Sequence, residues 1–174
     1  MKNTRVLNLL AMLVIGMLFT TTVLAQEKQK ASPPASANGK IGDVAVTVNY
    51  SSPGVKGRTV WGELVPYGKV WRSGANEATT VTFDKDVMVE GKPLAAGTYS
   101  FYTIPTEDKW TVIFNKAAKQ WGTNYDDRHD ALRVNVTPRK SKTMNERLKY
   151  DVTKDALVLS WENMEVPVKI AAKK

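Results

Sequence analysis

The chain has no cysteine among its 174 residues. That excludes disulfides, thiolate metal centres, a cysteine nucleophile and a lipid-modified cysteine at a processed N-terminus. There is a single histidine, His129, so a Ser–His–Asp triad has only one candidate base, and no serine sits in a Gly-x-Ser-x-Gly elbow. A phosphate loop and a dinucleotide fingerprint are also missing from the sequence. Past the first 25 residues no apolar run is long enough to span a bilayer. What is present is ordinary: 43% apolar and 24% charged residues exclude a collagen-like or wholly disordered chain, and the length leaves room for one domain.

The one long apolar run is at the start. Lys2 and Arg5 give a short positive segment, Val6–Phe19 is apolar apart from Asn8, and Val23-Leu24-Ala25 ends it. These are the three parts of a secretory signal, with cleavage expected before Gln26. An uncleaved anchor is the competing reading, but the run is short of the roughly 20 residues a span needs. The protein is therefore expected to be exported, to the periplasm or the extracellular space, with no transmembrane segment after cleavage. A domain of this size buries enough core to fold without disulfides. Gln26–Lys40 is rich in Ala, Ser, Pro and Lys and has no apolar periodicity, which predicts a disordered linker. The folded domain is expected over 41–171.

From Ile41 onward the period is two. Val44, Val46, Val48 and Tyr50 alternate with smaller or polar residues, and Val81 and Phe83 do the same. Thr98–Ile104 places Tyr99, Phe101 and Thr103 on one face and Ser100, Tyr102 and Ile104 on the other. Further runs lie at Trp110–Asn115, Leu132–Val136, Leu148–Val152, Leu157–Trp161 and Val166–Ile170. Turn clusters such as Glu90-Gly91-Lys92, Ala96-Gly97 and Pro105–Asp108 separate them. The expectation is an all-β chain with little helix: a single antiparallel β-sandwich, jelly-roll or immunoglobulin-like.

Between these strands lies an unusual density of specific residues. Lys56-Gly57-Arg58, Trp61-Gly62, Pro66-Tyr67-Gly68, Val70-Trp71-Arg72, Gly74-Ala75-Asn76-Glu77, Ala96-Gly97-Thr98-Tyr99, Ile104-Pro105 and Trp121-Gly122 recur through the chain. Together they resemble the DUF2911 family of exported bacterial proteins, typical of Bacteroidetes, over about Ile41–Ile170. The resemblance implies a β-rich fold and an exported bacterial protein. It implies no catalytic residue, because the family has no assigned function.

The residues themselves suggest where a ligand would sit. Aromatic planes beside forked or amide side chains give area for stacking and groups for orientation, as a sugar or peptide site requires. By that criterion the candidates are Arg58, Arg72, Asn76 and Glu77, joined by Tyr102, Trp121 and Tyr125. The same polar groups can instead satisfy one another and pin a long loop to the sheet. Trp61, Trp71 and Trp110 are expected to pack inward. The Tyr125–Asp130 stretch holds three carboxylates and His129, but its spacing is not an EF-hand and Arg128 offsets its charge; no metal and no cofactor is expected. Two sequons, at Asn49 and Asn135, fall in or beside expected strands and are not read as modification sites.

The formal net charge is +8. The cations are spread along the chain, and an exported protein rarely meets nucleic acid, so solubility is the simplest use of that charge. The reading is a non-catalytic ligand-binding or structural module of the cell envelope, leaning away from an enzyme. Its partner would be a small molecule, a glycan, a peptide or an envelope protein. A periplasmic hydrolase using Glu63, Glu77 or His129 is the alternative.

Overall fold

The computed structural model describes residues 31–173. The expected leader, and the linker as far as residue 30, lie outside the described residues. The described residues form ten strands: β1 (Pro34–Ile41), β2 (Val44–Ser51), β3 (Thr80–Phe83), β4 (Val87–Val89), β5 (Lys92–Leu94), β6 (Gly97–Ile104), β7 (Trp110–Asn115), β8 (Asp130–Val136), β9 (Arg139–Val152) and β10 (Ala156–Ala172). Only Asp127–His129 form a helical turn, of the 3₁₀ kind, among the described residues.

The strands form two antiparallel sheets, one in the order β1-β2-β3-β6-β7-β8 and the other β5-β4-β10-β9. Alternation explains why they pack face to face. Val44, Val46 and Val48 of β2, Val81 and Phe83 of β3, and Leu157, Leu159 and Trp161 of β10 all bury their side chains in one shared core. The period-two pattern therefore yields the expected β-sandwich.

One boundary needs correction. Pro34–Lys40, read as linker, belongs to β1, paired along its whole length with β2 from Pro34↔Ser51 to Ile41↔Val44. The segment does alternate, with Ala35, Ala37 and Gly39 half-buried and Ser36, Asn38 and Lys40 exposed. Its inward positions are small because another strand lies close above them. A Cβ on Gly39 would sit 2.7 Å from Val152 Cβ on β9. A second difference concerns the C-terminal strands: Leu157–Trp161 and Val166–Ile170 are one strand, β10, not two. Register shifts on either side of Glu162, whose φ is 52°, mark a bulge that bends the strand without ending it.

Residues 52–79 cross one end of the sandwich as a long, tightly turned loop. Trp61 and Trp71 come from this loop and pack on Trp110 and Trp161 of the core. Trp61 meets Trp110 edge to face at 4.9 Å, and Trp71 stacks on Trp161 at 5.7 Å with 18° between planes. Aromatic contacts of this kind contribute about 0.5–1.5 kcal/mol each beyond simple burial. They fix the loop to the sheets, as does the backbone pair between Trp71 and Thr103.

The outer face of the larger sheet carries no comparable apolar layer along β1–β3. Register aligns Ser36, Asn49, Thr80 and Ser100 across four strands, and beside them Asn38, Thr47, Thr82 and Thr98. Both rows are uncharged hydroxyls and amides. Over β6 and β7 this face is covered instead by the segment 116–126, which seals a small second core of Ala78, Tyr102 and Ile113.

Candidate functional site

The segment 116–126 follows β7 and must turn back over the sheet. Asn115, fully buried, holds both of its ends: its amide donates to the Asp126 carbonyl at 2.8 Å, and its side-chain oxygen accepts from the Ala117 N–H at 3.0 Å. The middle is laced to the end of the long loop. Ala78 N–H donates to the Gln120 carbonyl, and Gly122 N–H to the Asn76 carbonyl, each at 3.1 Å. Glu77 and Trp121 are thereby bridged across two chain segments. Trp121 is left 51% exposed, the only one of the five tryptophans whose ring faces mainly solvent among the described residues.

Beside Trp121 is a cleft of about 540 Å³. Its floor includes Asn49 and Thr80 from the uncharged rows of the sheet, and its walls include Glu77, Gln120, Trp121 and Pro34. A second hollow of about 560 Å³ shares Pro34, Ser51, Glu77 and Trp121 with it. A third, of about 320 Å³, adjoins the second through Ser32 and Asn76 and reaches Arg58, Arg72, Trp71 and Trp161. The three are neighbours, each sharing lining residues with the next, and together they are called the trough below.

The residues singled out in the sequence distribute unevenly along it. Glu77 and Trp121 line its open end, and Asn76 its middle. The Asn76 side-chain amide donates to Ser51 Oγ at 3.2 Å, and its φ of 58° turns the loop there. Arg58 and Arg72 line the inner end. Arg58 has spent part of its fork on the chain itself, Nε donating to the Val55 carbonyl at 3.0 Å and Nη2 to the Gly54 carbonyl at 2.6 Å. Arg72 Nε is buried with no partner, which costs about 1–3 kcal/mol for a neutral donor and more for a charged one. Its stem is held in place by Gly122: a Cβ there would lie 2.0 Å from Arg72 Cδ.

Two candidates lie elsewhere. Tyr102 is fully buried beneath the 116–126 segment, so its ring is a packing surface and not a ligand platform. Its hydroxyl accepts from Gln120 Nε2 at 3.0 Å, and burial raises its pKa. Tyr125 packs edge to face on Tyr102 at 4.9 Å. Its hydroxyl donates to Asp130 at 2.8 Å and accepts from Arg133 at 2.7 Å. Burial first, and then the bond to Asp130, push its pKa up to about 12. Both tyrosines are side chains of β6 and of the covering segment whose polar ends are already satisfied.

The acidic stretch is equally self-contained. Arg128 donates to both carboxylate oxygens of Asp126, and this bond holds the Asp126 pKa down to about 2. His129 lies 3.5 Å from the same carboxylate. Among the described residues no three acidic or histidine side chains cluster so as to hold a metal ion. Glu63 is exposed in the turn after Trp61 and does not line the clefts that Glu77 lines.

Asn49, Thr80 and Gln120 were not singled out in the sequence. Alternation puts Asn49 and Thr80 on the polar face of their strands. That they meet across the β2–β3 pair, under Gln120, depends on a register that the sequence does not state.

The fold and site together define a small β-sandwich module with neighbouring hollows lined by aromatic, amide, hydroxyl and charged side chains. The chain belongs to the family described as Protein of unknown function (DUF2911), whose model matches residues 32–170. No curated protein and no solved structure matches the chain.

Proposed function

We propose that this protein is an exported, non-catalytic binding module whose ligand is a carbohydrate held in the trough beside Trp121. One observation carries the reading: the one mainly solvent-facing tryptophan among the described residues lines a cleft that is largely apolar and also carries Asn49, Thr80, Gln120, Glu77 and Lys119. A sugar ring offers an apolar face to an indole and a rim of hydroxyls that need both donors and acceptors. Asn49, Thr80 and Gln120 supply both, and Glu77 adds a strong acceptor. Export is supported by the arrangement of charge, apolar run and small residues at Lys2–Ala25, and an envelope glycan would be within reach of a protein so placed.

The test is equilibrium binding of a panel of oligosaccharides to the purified protein and to Trp121→Ala. A tryptophan platform is worth about 2 kcal/mol when it anchors a ligand, so the substitution lowers affinity by about thirtyfold and leaves the melting temperature nearly unchanged. Saccharide binding that is indifferent to Trp121→Ala would remove the trough from the account. Glu77→Gln weakens binding modestly in a binder. Turnover of a bound oligosaccharide that is lost in Glu77→Gln would instead make the protein a hydrolase. The mass of the protein recovered from the envelope or medium is expected to begin at Gln26.

A further inference from the structure

We propose that the inner end of the trough is a carboxylate-binding pocket, so that the saccharide it serves is an acidic one. This inference rests on the carbohydrate reading and narrows it. The pocket of about 320 Å³ is lined by the donors Arg58, Arg72, Asn76 and Ser32 and by apolar surface that includes Trp71 and Trp161, with no aspartate or glutamate among the described residues.

Two of its lining residues hold unused hydrogen-bond donors. Arg72 Nε and Trp161 Nε1 are both buried without an acceptor among the described residues, and Trp161 is only 1% exposed. Among the described residues neither Arg58 nor Arg72 forms an ion pair. A guanidinium stays charged at any ordinary pH, and Arg72, half-buried with its stem under Gly122, has no ion-pair partner among the described residues. Buried donors normally have acceptors, and a pocket that leaves two unused offers them to an anion that arrives from outside.

The shape of the free donors argues for the class. Arg58 has already committed two of its N–H groups to the Gly54 and Val55 carbonyls, so the Arg72 fork is the one left to orient a ligand. A carboxylate is a planar, two-oxygen group that matches the guanidinium fork. Because the pocket shares Ser32 and Asn76 with the hollow that Trp121 lines, the carboxylate belongs to a ligand whose neutral part lies on Trp121. A sugar chain bearing an acid group meets both requirements.

The experiment compares matched pairs by titration calorimetry on the purified protein at physiological salt: neutral gluco-, galacto- and manno-oligosaccharides against the uronates of the same length and linkage. A charge-assisted bond of this kind gives the uronate of the recognised pair at least about a tenfold tighter binding. Arg72→Met keeps the stem under Gly122 and removes the fork. It is expected to bring the affinity ratio of uronate to neutral sugar down to about one, the ratio being the readout whatever happens to the affinity for both. Arg72→Lys, which keeps the charge without the fork, is expected to fall between, and supplies the same comparison if the Met variant does not fold. Equal affinity for both members of every pair overturns the carboxylate pocket and leaves the carbohydrate site standing. A preference that survives in Arg72→Met assigns it to the overall positive field of the protein and also overturns the pocket. Binding of neither class would overturn both readings.

Discussion

Gly122 joins the two halves of the site. Its missing side chain lets the Arg72 stem lie against the backbone, and its N–H holds the Asn76 carbonyl at 3.1 Å. Gly122→Ala must push Arg72 or the 116–126 segment outward. Overpacking of this order costs about 1–3 kcal/mol, which urea denaturation would register as a lower midpoint, and Trp121 would lose its position with it. Gly122→Ala at wild-type stability would mean that Arg72 is not clamped. Tyr125 offers a pH test. Its folded pKa is raised to about 12, above the ordinary phenol value near 10, so the fold favours the neutral phenol. That contribution is complete below about pH 10 and is lost as pH rises to about 12. The stability advantage of the wild type over Tyr125→Phe is therefore expected to shrink across this window in denaturation series, whereas a constant difference would contradict the assigned bond to Asp130. At this scale the sequence was a partial guide. Residue chemistry alone singled out Trp121, Glu77, Arg72 and Asn76, which line the hollows, because large aromatic and forked side chains in glycine-rich loops are uncommon. It equally suggested Tyr102 and Tyr125, because nothing local distinguishes a tyrosine under a covering loop from one beside it.

The strands show the same division between local pattern and long-range placement. Period two predicts β2, β3, β6, β7 and β8 directly, since valine and aromatics alternate there with polar residues. β1 escaped because its inward side is Ala35, Ala37 and Gly39, residues too small to raise an apolar signal. The reason for their size, the approach of Val152 from β9, lies more than a hundred positions away in the chain. The bulge at Glu162 likewise broke one strand into two patterns, because an extra residue switches which face each side chain meets. If β1 is a packed strand, Gly39→Ala must clash with Val152 and is expected to destabilise the protein by about 1–3 kcal/mol, lowering its melting temperature by several degrees. A tether would tolerate the change without effect. The outcome also bears on function, since Pro34 at the start of β1 forms part of the cleft wall.

In the whole molecule, two sheets bury one contiguous core, and the loops that close one end bring together residues 32–34, 49–51, 76–80 and 118–121. No window of the sequence contains these four segments together, which is why the trough is a property of the fold and its ingredients only a property of the chain. The division of labour among the tryptophans follows from it. Trp61, Trp71, Trp110 and Trp161 hold the end of the sandwich together, and Trp121 is free to meet a ligand. The most direct measurement is therefore the ¹H–¹⁵N spectrum of the five indole groups during titration with the tightest-binding oligosaccharide of the panel. The account predicts that the Trp121 resonance shifts progressively and saturates, joined by the Trp161 resonance when the ligand carries a carboxylate. If no oligosaccharide moves the Trp121 resonance, or if binding shifts the buried indoles and leaves Trp121 in place, the trough is not the binding site.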